Sequence, residues 1–281
     1  MKRWVGLCDS DSNRQTPSAI RGEHMMKQRI LEQIASMPGH NGMYFKNLIT
    51  GEKIEYRSDE SFGPASVIKL PILMHICQLA RQCQVRMDEK IRCRHADKLG
   101  GCGALRAFND EPEVSISTLC ELMITISDNS ATNLLIHRFG MDALNESFRQ
   151  MGLSVTRLNR ILFDNEAASR GIENEFSPAE MGDLLEQIYR RKFVDETTSI
   201  YIEDMLMKQQ INHKIPGIIG DAAPIAHKTG EDEGISNDVA LVYAPEPFVL
   251  CYAGNGTNVP EFENFIRKTA SELFLSCGGK L

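Results

Sequence analysis

The sequence predicts an α+β fold: a five-stranded antiparallel sheet built from both ends of the chain, flanked by terminal helices, with an all-helical block inserted between its halves. Three observations predict it. The hydrophobic pattern runs helix, two strands, a long helical stretch, three strands, helix. Connections between consecutive strands are only a few residues long, so those strands must be antiparallel, because a parallel crossover needs about a dozen residues or more. The 281 residues contain no internal repeat, low-complexity tract or long linker, and they are ample to bury a core. On this reading residues 1–62 and 212–281 form a discontinuous sheet domain and residues 63–211 the inserted helical domain.

Each element has its own signal. Ile20 to Met37 places Ile20, Met25, Ile30, Leu31 and Ile34 among charged residues, a helical stripe that stops at Pro38-Gly39. Gly42 to Leu48 and Glu52 to Tyr56 flank Thr50-Gly51, the mark of a hairpin. Helical spacing then covers Val67 to Ala80, Ser117 to Ile126, Ser130 to Phe139, Met141 to Met151, Pro178 to Tyr189 and Thr198 to Lys208. Ser177-Pro178 with Glu180 behind it sets a capping hydroxyl before a proline at the first helical position. Strands return as Ile225 to Thr229, Val239 to Tyr243 and Phe248 to Ala253, and Pro260 to Leu275 closes the chain as an amphipathic helix. A cleft between sheet and inserted helices is the default place for a ligand.

Composition narrows the function. Thirty-one Lys and Arg against 38 Asp and Glu give a net charge of −7, which argues against a protein that neutralises nucleic-acid phosphates. No membrane span is expected, since the strongly apolar Val67 to Ile76 is interrupted by Lys69 and His75 and falls short of the roughly 18 to 20 residues needed. The opening MKRWVGLCDSDSNRQ offers only Trp4 to Cys8 where a leader needs about 7 to 15 apolar residues, so the chain reads as cytoplasmic unless a leader has been removed. The eight cysteines include no C-x-x-C, and the seven histidines no H-E-x-x-H. Free thiols, no cofactor and no metal are expected; a metal site would have to be assembled from residues distant in sequence.

Three short elements carry the chemistry. Ser66-Val67-Ile68-Lys69 is an S-x-x-K at a helix start, where positions i and i+3 share a face and the Lys69 amine can reach the Ser66 hydroxyl. The positive field there and nearby ammonium groups lower the lysine pKa, preparing it to take a proton as Ser66 attacks a carbonyl. Alone this pattern arises about once by chance in a chain of this length. Ser127-Asp128-Asn129 after an apolar helix and Lys228-Thr229-Gly230 at a strand end change that: all three in this order should occur by chance in roughly one chain in a thousand.

With these residues the sequence resembles the class A β-lactamase and penicillin-binding serine hydrolases, and the resemblance runs over nearly the whole chain. It implies a β-lactamase-like fold and a small-molecule substrate, a β-lactam or a peptide or ester analogue. It further implies that Ser66 is the nucleophile, Lys69 its base partner and Ser127 the donor to the departing nitrogen. Asn129 would hold the substrate amide, and Lys228, Thr229 and Gly230 its carboxylate end. The backbone N–H groups of Ser66 and Glu231 would form the oxyanion hole. Asp128 reads as structural.

Departures from the family pattern bear on function. Class A β-lactamases carry an E-x-x-L-N element whose glutamate activates the deacylating water. Here the segment Arg160 to Ala167 puts Ile161 or Leu162 at that place, leaving Asp164 and Glu166 as candidates for a relocated base, of which Glu166 is the one assigned. Asn174 stands where relatives place an aspartate that pairs with the loop arginine, so a weak Arg160 to Asn174 clasp is expected. No arginine lies near Ser236 to supply an extra cation for a substrate carboxylate, and Glu231, Asp232 and Glu233 crowd the lip. Gly100-Gly101-Cys102-Gly103 falls at the cleft mouth, with Cys102 expected to be buried. The leading reading is a serine acyl-hydrolase acting on β-lactams with an atypical deacylation loop. A D,D-peptidase or esterase, and a slow-turnover acyl trap, remain as alternatives.

Overall fold

The computed structural model describes residues 17–281, so the leader question and Cys8 lie outside the described residues. Helix α1 (Pro17–Ser36) leads into strands β1 (His40–Asn47) and β2 (Lys53–Tyr56). The hairpin turn is closed by Asn47 Oδ1, which accepts from Ile49 N at 2.9 Å and Thr50 N at 3.0 Å. A 3-10 turn at Ala65–Ile68 opens α2 (Lys69–Arg81), and a short ribbon of β3 (Lys90–Arg92) and β4 (Glu113–Ser115) follows. Next come α3 (Ile116–Thr125), α4 (Asn129–Phe139), α5 (Met141–Gln150), α6 (Asn165–Ser169), α7 (Pro178–Tyr189), α8 (Glu196–Met207) and α9 (Pro216–Ile219). The chain ends with β5 (Ile225–Asp232), β6 (Ile235–Val242), β7 (Phe248–Asn255) and α10 (Val259–Ser276).

The five long strands form one antiparallel sheet in the order β2-β1-β7-β6-β5. Both chain ends therefore contribute, as the short connections require, and β5 is left as an edge. Strand periodicity divides the sheet's side chains between two cores. Met43, Phe45, Ala240, Val242, Phe248, Leu250 and Tyr252 pack under α1 and α10, while Tyr44, Val239, Leu241, Val249, Cys251 and Ala253 join the core of the helical block. At about 25 cal/mol per Å² of apolar surface, burial of both faces is what holds the two halves of the chain together.

Most predicted helices stand within a few residues of their expected bounds, and Ser177 Oγ accepts from Glu180 N at 3.3 Å as the capping pattern requires. The β3–β4 ribbon and α6 were not expected, because three-residue strands and a five-residue helix carry no readable periodicity. Strand β5 also runs further than Thr229, through Glu231 and Asp232, because these residues pair with Ser236 and Ile235 of β6. Among the described residues no helix is long and apolar enough to cross a membrane. Cys77, Cys83, Cys93, Cys102, Cys120 and Cys251 are free thiols.

Candidate active site

Ser66 sits in the 3-10 turn at the head of α2, partly exposed at the floor of a cleft of about 340 Å³. Lys69 follows one turn later, its backbone N–H donating to Ser66 O. The turn is held from the sheet. Asn237 of β6 donates to Gly63 O and Pro64 O, both at 3.0 Å, and Ala65 takes a positive φ of 44° that a non-glycine residue adopts only under constraint. Strand β5 passes against the same turn. A Cβ on Gly230 would stand 2.5 Å from Pro64 O and 3.2 Å from Ser66 N, so only glycine lets the strand approach the nucleophile.

The second element is fixed by Asp128, which caps α4 through Ala131 N at 2.9 Å and accepts from Ala104 N at 2.7 Å and Leu105 N at 2.9 Å. It is a structural residue, as its position suggests. Ser127 before it is buried in a left-handed conformation, φ 57°. Asn129 joins the Gly100 to Cys102 loop to the site: its Nδ2 donates to Gly100 O at 3.1 Å and its backbone N to Cys102 O at 3.2 Å.

Lys69, Ser127 and Lys228 make a buried polar layer. Lys69 Nζ lies 2.8 Å from Ser127 O, 3.0 Å from Ser127 Oγ and 2.9 Å from Asn129 Oδ1. Lys228 Nζ lies 3.1 Å from the same Ser127 Oγ and 2.8 Å from Thr229 O. Burial, then the Lys228 charge, holds the Lys69 pKa well below the ordinary lysine value. Burial, then the Lys214 charge, brings Lys228 down to about 7. A neutral Lys69 has two N–H groups and a lone pair. The carbonyl of Ser127 and Oδ1 of Asn129 can only accept, so the lone pair is left to face the Ser127 hydroxyl.

Among the predicted residues, Ser66, Asn129 and Glu231 line the cleft, and Lys69, Ser127, Lys228, Thr229 and Gly230 are brought together around and beneath it. Glu166 is not. Its side chain is 84% exposed and pairs with Arg170 at 3.0 Å, because α6 turns it outward. Asp164 caps that helix through Ala167 N at 2.9 Å and also stays off the cleft. The wall beside Ser66 is formed instead by Leu162, Phe163 and Asn165. Asn133 clamps the loop, accepting from Leu162 N at 3.0 Å and donating to Leu162 O at 2.8 Å.

Three further expectations change. Arg160 is clasped by Glu173, with Nη2 at 2.6 Å, while Asn174 Oδ1 accepts the backbone N–H groups of Asn159 and Arg160 at 2.7 and 2.9 Å. The loop thus keeps a salt bridge, supplied one residue earlier than expected. Cys102 is exposed and lines the cleft, since its loop is pulled across the mouth by Asn129. The site also has an extra cation. Lys214, fully buried, donates to Gly230 O at 3.2 Å and Asn237 O at 3.1 Å and pairs with Glu231 at 3.1 Å. It offsets one of the lip acids. Nothing in the sequence around Lys214 marks it, and Asn237 likewise belongs to no motif; folding alone brings both to the site.

Comparison with known proteins agrees with this geometry. Residues 25–275 match the beta-lactamase enzyme family. The structure is similar to that of a beta-lactamase from Sphaerobacter thermophilus DSM 20745, with TM-score 0.84, 24% identity and coverage of 90% of this chain and 97% of that one. It is similar to PBP-A, with TM-score 0.82, 28% identity and coverage of 90% and 95%. A leucine-to-glutamate variant of PBP-A, described as an acyl-enzyme complex with penicillin G, aligns with TM-score 0.82, 27% identity and coverage of 90% and 96%.

Proposed function

The chain belongs to the beta-lactamase enzyme family, and on that premise we propose that it is a penicillin-binding serine acyl-transfer enzyme of the peptidase or esterase type, acylated readily at Ser66 and deacylated slowly. One observation carries this reading: the cleft wall beside Ser66 presents Leu162 where a β-lactamase of class A needs a carboxylate, and Asp164 and Glu166 are turned away. Glu173 also lines the cleft, but Arg160 holds its carboxylate. The 27–28% identity to PBP-A and to its acyl-enzyme variant supports the same choice.

The polar layer around Ser66 supports the acylation half of this reading. Lys69, held toward its neutral form, accepts the Ser66 proton as Oγ attacks the carbonyl carbon. The oxygen that becomes negative is met by the N–H groups of Ser66 and Glu231. Ser127 Oγ, in contact with Lys69 Nζ and Lys228 Nζ, passes a proton to the departing nitrogen and is reprotonated by Lys69, which holds the proton taken from Ser66. Lys228, backed by Lys214, and Thr229 receive the substrate carboxylate, and Asn129 orients the amide. Hydrolysis of the resulting ester needs a base for water, and this wall offers none.

The test is intact-mass measurement after mixing with benzylpenicillin. One adduct per chain should appear on Ser66 and persist for minutes, with none on Ser66→Ala. Absence of both adduct and turnover across a panel of β-lactams overturns the proposal. Rapid turnover without an adduct replaces it with a hydrolytic β-lactamase whose base lies elsewhere.

A further inference from the structure

At the lip of the cleft, the side chains of His213, Glu263 and Glu231, the last through its carboxylate and not the backbone N–H assigned to the oxyanion, bring three metal-ligating atoms within 4.8 Å of one another. They come from the loop before α9, from β5 and from α10, so the set is created only by folding. We propose that these three side chains bind a divalent cation of the zinc type at the lip of the cleft.

The distances carry the argument. His213 Nε2 stands 3.5 Å from Glu231 Oε1 and 3.4 Å from Glu263 Oε1. Charge-assisted hydrogen bonds are shorter, about 2.7–2.9 Å, and a neutral imidazole has one N–H at this atom and cannot serve two carboxylates. Zinc bound at about 2.0–2.1 Å to nitrogen and oxygen in a tetrahedron separates its ligand atoms by about 3.4 Å. The two separations from His213 therefore match the edges of a zinc tetrahedron, and the two carboxylates lie within 4.8 Å of each other. His213 and Glu231 are about half exposed, at 46% and 44%, which leaves the fourth corner to water.

Supporting contacts orient the ligands, as outer partners of metal sites do. Lys214 Nζ donates to Glu231 Oε1 at 3.1 Å, and Ser236 Oγ donates to Glu263 Oε1 at 3.1 Å. Arg267 donates to His213 O at 3.1 Å and lies 4.0 Å from Glu263 Oε2. These two cations offset the charge of the two carboxylates. The site is accordingly poor for magnesium or calcium, which are held by oxygen charge, and suited to a metal that gains from an imidazole nitrogen.

The experiment titrates the full-length protein with zinc in competition with a chromogenic indicator, and with cobalt(II) followed by its visible spectrum. Expected are one zinc per chain at micromolar affinity, the intense absorption of four-coordinate cobalt, and at least ten-fold weaker binding in both His213→Ala and Glu263→Gln. Melting curves confirm that the variants are folded; His213 lies on an exposed loop and its replacement leaves the core untouched. No saturable binding up to about 1 mM metal, or binding equal in both variants and so located on thiols elsewhere, overturns the proposal. Penicillin acylation of Ser66 is not part of this readout, so the two proposals fail separately.

Discussion

Replacing Leu162 by glutamate should convert a long-lived acyl-enzyme into a short-lived one. The position is suited to carry a base: its backbone is clamped on both sides by Asn133, at 3.0 and 2.8 Å, and its side chain forms the cleft wall with Ser66 and Asn165. Arg160 lines the same cleft but is clasped by Glu173, so it leaves a new carboxylate at position 162 able to accept a proton from water. A positioned base contributes about 10² to 10⁴-fold to the step it serves, or about 3 to 5 kcal/mol of barrier. Deacylation should accelerate by that factor. Acylation should change by no more than a few-fold, because Ser66, Lys69, Ser127 and Lys228 keep their contacts. The assay pre-forms the penicillin adduct, removes excess ligand, and follows intact mass together with recovery of reactivity toward a fluorescent penicillin. Asn133→Ala on the Leu162→Glu background should forfeit most of the gain by releasing the clamp. A folded Leu162→Glu protein whose adduct lives as long as the wild-type adduct would refute the reasoning.

Glu166→Gln should leave adduct lifetime within two-fold of wild type, since the side chain is exposed and paired with Arg170 away from the cleft; a much longer lifetime would restore it as the base. Gly230→Ala should lower the melting temperature and slow acylation at least ten-fold, because a Cβ 2.5 Å from Pro64 O forces strand and nucleophile turn apart; overpacking of this kind costs about 1–3 kcal/mol. The pH dependence follows from Lys228, whose pKa of about 7 makes it cationic below that pH and neutral above it. Second-order acylation by benzylpenicillin should therefore decline as pH rises through about 7, and the methyl ester, which lacks the carboxylate, should show no such limb. Identical profiles for acid and ester would remove Lys228 from carboxylate recognition.

The α+β class, the antiparallel pairing and the motif residues of the candidate site were legible in the sequence because each rests on local physics. Alternation along β6 and β7 sends Val239, Leu241, Val249 and Cys251 to one core and Ala240, Val242, Phe248 and Leu250 to the other whatever the rest of the chain does. Ser66 and Lys69 stand three residues apart on one turn, where the Lys69 backbone N–H donates to Ser66 O. Lys228 and Ser127 are 101 positions apart, yet each belongs to a motif, and the motifs announce the meeting. Only the tertiary structure decided the rest. Lys214 enters the site from the loop before α9 by donating to Gly230 O and Asn237 O, Asn237 enters it from β6 by donating to Pro64 O, and the side chains of His213, Glu231 and Glu263 converge from a loop, a strand and a helix. The loop around Leu162 was the hardest case: Asp164 and Glu166 lie in sequence where a base could be, and what disqualifies them is the direction in which a five-residue helix, capped by Asp164 itself, points their carboxylates. Direction is a property of packing between distant segments, and no spacing along the chain encodes it.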